Sequence, residues 1–445
     1  MIIAGEPSGD LLAAELVKAL RTEWIAFEAR RIEKDAQPLH ATLSPRFFGA
    51  GGPRMAEAGV ELAFDLTAHA VVGLSEVLKN YWKFKRFFNL LLRQAVEREP
   101  DVIICVDFSG FNRRLAHAIK KYVRAQSGPF QNWQPKLVQY VSPQVWASRE
   151  GRAQQLARDL DLLLSILPFE KEWYALRAPR LRVEFVGHPI LDRYPPLPWA
   201  ETLAQPGSEA KPVGSQGEAI SPAPLVLLLP GSRLGELKRH LPVMIGAARL
   251  IQASRPVRFR MILPSKSMAE KARPYLAELP QIEIQTGGLA ESLSAASLAI
   301  ASTGTVTLEC AYFGVPTVAL YKTSWTTYEI AKRLIKVNFL AMPNLLAADS
   351  IYPEFIQHDA RPDKIAAAAL AILDNPSQQD AIRAKLAKVI RLLGHPGASQ
   401  RAAHAIVKLL GDSDVPDVAE RRSAIFPKPL TRAQTRLAEK LIAGE

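Results

Sequence analysis

Cysteine is nearly absent from this 445-residue chain: Cys105 and Cys310 are its only two. Each sits in an apolar run, as a small buried hydrophobe of a reducing compartment does, so no disulfide framework is expected. Long apolar runs are missing as well. The longest clean ones, such as Leu225 to Leu229, fall far short of the ~20 residues that cross a bilayer, so any membrane association must be peripheral. The chain does not open with a basic, then apolar, then small-residue sequence, and a signal peptide is not expected. No repeat recurs at a solenoid period, which excludes array folds. No Gly-x-Gly-x-x-Gly follows a candidate strand with an acidic residue about 20 positions later, and no Walker A loop occurs, so a nicotinamide-dependent oxidoreductase is disfavoured. Recognised nucleic-acid modules are lacking too, despite a formal net charge of +12 from 56 Lys and Arg against 44 Asp and Glu. That excess suits phosphorylated substrates or an anionic membrane surface.

What the chain does have is alternation. Short runs rich in Val, Ile and Leu are separated by longer amphipathic segments, the pattern of buried parallel strands joined by crossover helices. Strands are predicted at 1–4, 47–50, 102–107, 137–141, 162–167 and 183–186, then at 225–229, 259–263, 282–284, 298–301, 317–321 and 339–341. The first is short, with only four residues before Gly5, which leaves open a start upstream of Met1. The length suits two domains. A stretch dense in Pro, Gly, Ser, Gln and Glu at 195–224 divides residues 1–194 from 225–411. The last helices of 225–411 have the option of crossing back, and 412–445 reads as a charged tail.

Three strand-to-helix turns share one chemistry. Ala4-Gly5-Glu6-Pro7-Ser8-Gly9-Asp10 opens the first half, Leu229-Pro230-Gly231-Ser232-Arg233 opens the second, and Ser302-Thr303-Gly304-Thr305 follows a later strand, with Glu309 one turn into its helix. Glycine lets backbone approach a ligand, helix N-terminal amides favour phosphate, and an arginine at a strand end can clamp a diphosphate. Taken alone, the first also reads as a helix start capped by Ser8 or Asp10, the second as a surface arginine in a turn, though the ligand reading is favoured there, and the third as a Thr-capped helix with an exposed Glu. Together they favour a nucleotide diphosphate held in a cleft between two sheets. Asp107, at the mouth of a central strand, can act as general base towards a sugar hydroxyl or cap a helix, and Asn112 is the weaker candidate. Asp159-Leu160-Asp161 superficially spells a metal-binding carboxylate pair but reads as a cap or turn, and no metal is expected. His188, before Pro189, reads as a structural hydrogen-bonder. The segment 74–98 interleaves Trp82, Phe84, Phe87 and Phe88 with Lys83, Lys85 and Arg86, as an interfacial helix or a wide-faced packing helix would, and 325–339 repeats the ambiguity.

These motifs, with Val72-Gly73-Leu74-Ser75-Glu76-Val77-Leu78, Val106 to Asn112, Tyr140 to Ala147, Leu167-Pro168-Phe169-Glu170, Gly187-His188-Pro189 and Pro343-Asn344-Leu345-Leu346-Ala347, resemble in order and spacing the lipid-A-disaccharide synthase family, from Met1 to about Leu410. The resemblance implies an α/β chain of the GT-B class: two Rossmann-like domains whose parallel sheets face a central cleft. It implies an inverting glycosyltransferase that passes 2,3-diacylglucosamine from UDP-2,3-diacylglucosamine to the 6-hydroxyl of 2,3-diacylglucosamine 1-phosphate. By position, Asp107 would be the base and Glu6 would lie beside the reacting groups. Ser8 would line the cleft, and Ser232, Arg233, Gly304, Thr305, Glu309 and Asn344 would hold UDP. The same resemblance implies no metal or other cofactor, no nucleic acid, and a peripheral place on the anionic cytoplasmic face of an inner membrane, and it allows a homodimer. Another UDP-sugar enzyme of this fold, acting on a different lipid-linked sugar or epimerising a UDP-sugar, is the alternative.

Overall fold

The computed structural model describes residues 1–35, 44–69, 81–126, 133–195, 223–277 and 279–411. The motif at 72–78, the start of the segment 74–98, most of 195–224 and the tail from 412 lie outside the described residues. Two compact units emerge, one of Met1–Asp192 with the chain from His395 onward, the other of Arg193–Gly394.

The first unit is built on a seven-stranded sheet, and every strand pairing in it is parallel. Its strands are β1 (Ile2–Ala4), β2 (Phe48–Gly51), β3 (Glu61–Asp65), β4 (Val102–Val106), β5 (Lys136–Tyr140), β6 (Leu162–Ser165) and β7 (Val183–Phe185), in the order β3-β2-β1-β4-β5-β6-β7. One face is covered by the helices Pro7–Asp35 and Ala398–Gly411, whose Leu16, Val17, Ala402 and Ile406 are buried with Ile104 and Val138 of the sheet. The last helix thus completes the core of the first unit, although the intervening chain builds the second. The other face buries Leu91 and Leu92 of Tyr81–Arg98, Leu115 and Ile119 of Ser109–Gln126, and Leu156 of Arg152–Asp159.

The second unit has a six-stranded parallel sheet: β8 (Leu225–Leu229), β9 (Arg258–Leu263), β10 (Glu283–Thr286), β11 (Leu298–Ser302), β12 (Thr317–Tyr321) and β13 (Glu354–Ile356), in the order β10-β9-β8-β11-β12-β13. The wholly buried strands β8 and β11 are the continuous apolar runs that a sheet covered on both faces requires.

Two edges depart from the sequence reading. β3 escaped it because Glu61-Leu62-Ala63-Phe64-Asp65 is a partly exposed edge strand with charged ends. The strand expected at 339–341 is a loop: the amides of Leu340 and Ala341 donate to the carboxylate of Glu354, at 2.9 and 3.1 Å, and Glu354 itself opens the edge strand β13 beside β12. Both cysteines are buried free thiols, and burial pushes each up to about 12.

Candidate active site

A parallel sheet wound in both directions from its first strand leaves a crevice at the carboxyl ends of two adjacent strands whose connections leave in opposite directions, and ligands bind there. In the first unit those strands are β1 and β4, paired with Ala4 opposite Val106. Glu6 and Ser8 therefore follow one strand of the switch point and Asp107 the other. In the second unit the strands are β8 and β11, with Leu229 opposite Ala301, so Ser232 and Arg233 follow one strand of the switch point, and Gly304, Thr305 and Glu309 follow the other.

The Asp107 turn is strained and firmly held. Asp107 and Phe108 take left-handed backbone conformations in succession, φ +47° and +43°, and the β-branched Val141 does so at the end of the adjacent strand, φ +67°. Such conformations cost about 1–3 kcal/mol each and persist only where the surroundings fix them. Here the fixing groups are visible. The Asp107 amide donates to Tyr140 O at 2.9 Å, and its carbonyl accepts from Asn112 Nδ2 at 3.0 Å and Gln139 Nε2 at 3.2 Å. Gln139 Nε2 also reaches the Val141 carbonyl at 3.1 Å. Asn112 is fully buried and so braces the turn from inside. Gly5 lets the turn close on β1, and Gly9 packs beside Asp107. A Cβ on Gly5 would lie 2.2 Å from the Phe108 ring, and one on Gly9 would be 3.7 Å from Asp107 Cβ. Phe108 continues into an aromatic cluster, stacking on Phe111 at 5.5 Å and meeting Phe84 at 6.5 Å. The Tyr81–Arg98 helix is in part a packing helix. Its later turns are core, while Trp82, 75% exposed, and Lys83 face solvent.

Ser8 is exposed in the first helical turn, whereas Asp10 is buried and caps a different helix. Its carboxylate accepts from the amides of Gly52, Arg54 and Met55 at 2.7, 3.0 and 3.1 Å, at the start of Pro53–Glu57. His188 Nδ1 accepts from the Ile190 amide at 3.1 Å and starts the short Ile190–Arg193 helix, a structural role. Asp159 and Asp161 both precede β6, at the end of the sheet opposite the switch point, bonded to His117 and to Lys120 and the Leu137 amide.

In the second unit Gly231 has φ +109° and lies against Glu236: a Cβ there would come within 2.3 Å of its Oε2. Arg233 is exposed, with Nη1 3.6 Å from Glu236 Oε1, at the start of Leu234–Ser254. A residue that sequence reasoning missed ties this turn to the sheet. His240 is fully buried, its Nδ1 is 2.8 Å from Pro230 O, and its Nε2 accepts from the Lys322 amide at 3.0 Å. An amide must donate, so Nε2 is bare, Nδ1 carries the proton, and burial lowers the pKa of this neutral ring. Gly304 and Thr305 are exposed at the start of Thr305–Tyr312, with Gly304 at φ +139° and no side chain capping the helix. Thr307 Oγ1 instead donates to Gly304 O at 2.6 Å and accepts from the Met342 amide at 3.2 Å.

Two expected UDP contacts are occupied within the chain. Glu309 Oε1 accepts from Tyr194 Oη at 3.1 Å and lies 3.7 Å from Arg193 Nη1, while burial raises its pKa. Asn344 is not presented to a ligand at all. Its side chain is fully buried, with Nδ2 on Tyr352 O and Glu354 Oε1 and Oδ1 accepting from the Ile351 and Tyr352 amides. All four of its hydrogen-bonding capacities are used to set the approach to β13.

Glu170 also went unread, although it stands in one of the motifs. It is buried beyond β6, accepting from Trp146 Nε1 at 2.9 Å and lying 2.6 Å from Ser165 Oγ, and burial raises its pKa to about 7. A carboxyl with a folded pKa above its unfolded value holds its proton more tightly when folded. Its contribution is thus complete below 4.5 and is lost as pH rises towards 7, about 3 kcal/mol in all. Glu170→Gln should melt higher than wild type at pH 8 and converge with it near pH 5. Parallel melting curves across that range would refute the assignment.

The fold and these edges define a class, the two-unit Rossmann-like enzymes of the GT-B type. The fold is shared with the UDP-GlcNAc 2-epimerase of Neisseria meningitidis (TM-score 0.56, 10% identity, 92% of this chain and 98% of that one) and with a putative UDP-N-acetylglucosamine 2-epimerase of Listeria monocytogenes (0.53, 18%, 94% and 97%). Sequence similarity is narrower. The family model described as Lipid-A-disaccharide synthetase matches residues 1–408. The lipid-A-disaccharide synthases of Geobacter sulfurreducens and Coxiella burnetii are 36% and 33% identical, over 92% of this chain and 97% and 98% of theirs. The chain belongs to the lipid-A-disaccharide synthase family and is a glycosyltransferase of lipid A synthesis. The epimerase alternative rests on shared fold alone and is not favoured.

Proposed function

We propose that the chain transfers the 2,3-diacylglucosaminyl group of UDP-2,3-diacylglucosamine to the 6-hydroxyl of 2,3-diacylglucosamine 1-phosphate. The observation that carries this reading is the pair of switch points: Asp107 on a turn whose backbone is held by buried amides, following the strand beside the one that leads to Glu6 and Ser8, in one unit, and the exposed Arg233, Gly304 and Thr305 after two adjacent strands in the other. Asp107 takes the proton of the acceptor 6-hydroxyl as its oxygen attacks the donor's anomeric carbon. The bond from that carbon to the diphosphate breaks, and UDP leaves with the electron pair. Attack opposite the leaving group gives the β-1,6 linkage.

Negative charge grows on the diphosphate in the transition state, and fixed donors there lower the barrier. Arg233, Ser232 and the amides of Gly304 and Thr305 supply them. Glu309 is the acceptor for ribose hydroxyls, sharing its carboxylate with Tyr194 Oη. Asn344 acts only by shaping the neighbouring loop. Because cationic and amide donors neutralise the leaving group, the reaction proceeds without a metal. Trp82 and Lys83 on an exposed helix end suit docking on an anionic inner-membrane surface, where both lipids reside. No step calls on a second copy of the chain. Turnover of this substrate pair with EDTA present, followed as UDP release, tests the reading; turnover only with added divalent metal would overturn its metal-free part.

A further inference from the structure

The Ser109–Gln126 and Arg152–Asp159 helices of the first unit pack side by side and are laced by a ladder of polar contacts. Arg113 Nη1 donates to Gln155 Oε1 at 2.5 Å, His117 Nδ1 lies 3.0 Å from Asp159, and Lys120 Nζ lies 2.8 Å from Asp161. Down the ladder His117 and Lys120 meet carboxylates, Asp159 at the end of the second helix and Asp161 just beyond it. At its upper end, on the side of the sheet where Asp107 lies, the pattern inverts. Arg113, bonded to Gln155, there stands beside the first turn of the helix that Arg152 opens, and the Arg152 amide is bonded to the Arg149 carbonyl at 3.0 Å, so that Arg113 and its neighbour Arg114 confront Arg149 and Arg152 and their charges repel.

Among the described residues, Arg114, Arg149 and Arg152 form no ion pair with a carboxylate. The carboxylate whose charge reaches Arg113 is Asp159, buried and already bonded to His117. Arg113 and Arg152 are half-buried, and burial first, then the neighbouring guanidinium charges, lowers the pKa of each. Arg114 and Arg149 are exposed. Like charges gathered without counter-ions oppose folding, and partial burial of two of them adds a desolvation cost. A surface that merely attracts a membrane needs exposed charge but no such burial.

We infer that these four arginines form a phosphate-monoester site, which receives the anomeric phosphate of the acceptor. The inference rests on the acceptor proposed above. A dianionic monoester supplies the charge that the cluster lacks, and planar guanidinium groups can grip its oxygens bidentately. Arg113, fixed by Gln155, is the pre-set member, while the exposed Arg114 and Arg149 close on the ligand. Seated there, the phosphate anchors the acceptor at the same sheet edge as Asp107.

The test measures binding in detergent micelles of 2,3-diacylglucosamine 1-phosphate and of its dephosphorylated counterpart, by calorimetry, with wild type and with the double variant Arg114→Gln/Arg149→Gln. Both residues are exposed, and a melting curve checks that the variant folds. Wild type should prefer the phosphorylated lipid, and the variant should lose that preference by on the order of tenfold or more. Equal binding of both lipids by wild type, or a preference kept by the folded variant, overturns the site. Sedimentation with phosphatidylglycerol vesicles separates the other source of phosphate: if the variant releases those vesicles but keeps its lipid preference, the cluster serves membrane headgroups and the inference is wrong. Wild-type turnover measured alongside decides the proposed reaction independently of the phosphate preference.

Discussion

Asp107→Asn should lower kcat by on the order of a thousandfold, while UDP binds about as tightly as before. The amide occupies the same space, so the turn held by Asn112, Gln139 and Tyr140 should persist, and the fall can be charged to the missing base. The magnitude is that of a general base working through a positioned hydroxyl. Its position is what the chain has invested in: two successive left-handed residues, a third on the next strand, and carbonyls gripped by buried amides. Gln139→Leu, which removes the grip but keeps the carboxylate, should give a smaller loss than Asp107→Asn. Steady-state rates with UDP affinity measured in parallel check both. An Asp107→Asn enzyme with ordinary kcat would move the base elsewhere.

Arg233→Ala should reduce kcat/KM for the UDP-sugar by about a hundredfold, because a charge-assisted donor to the leaving diphosphate contributes more in the transition state than in the ground state. Much of the loss should fall on kcat, and less on UDP affinity. Arg233→Lys should recover only part of it, since an ammonium keeps the charge but not the two-pronged geometry. The exposed position of Arg233 makes a folding defect an unconvincing cause, and a melting curve verifies that. Equal kcat/KM for wild type and the alanine variant would remove Arg233 from the site.

The reach of sequence reasoning follows from how local each signal is. Buried central strands such as Val102–Val106 and Leu225–Leu229 announce themselves because both faces are covered and nearly every side chain is apolar. The turns after β1, β4, β8 and β11 were legible for the same reason, since each lies immediately beyond such a run. Edge strands carry mixed faces, so β3 passed unnoticed and Glu354–Ile356 was replaced by a more apolar neighbour that proves to be a loop. What remained hidden depends on partners far along the chain. Asp10 meets amides 42 to 45 residues away, and His240 meets one 82 residues away. Asn344 was misread for a related cause: a motif says where a side chain stands in the chain, but not that the protein has already used every bond it can make.

The most direct test of the central claim is the structure of the product. Wild-type protein incubated with UDP-2,3-diacylglucosamine, 2,3-diacylglucosamine 1-phosphate and EDTA should release one UDP for each disaccharide formed. Mass spectrometry and NMR should show a β-1,6-linked tetraacyl disaccharide 1-phosphate. An α-linkage, attachment at another hydroxyl, or UDP released without a disaccharide would contradict the account.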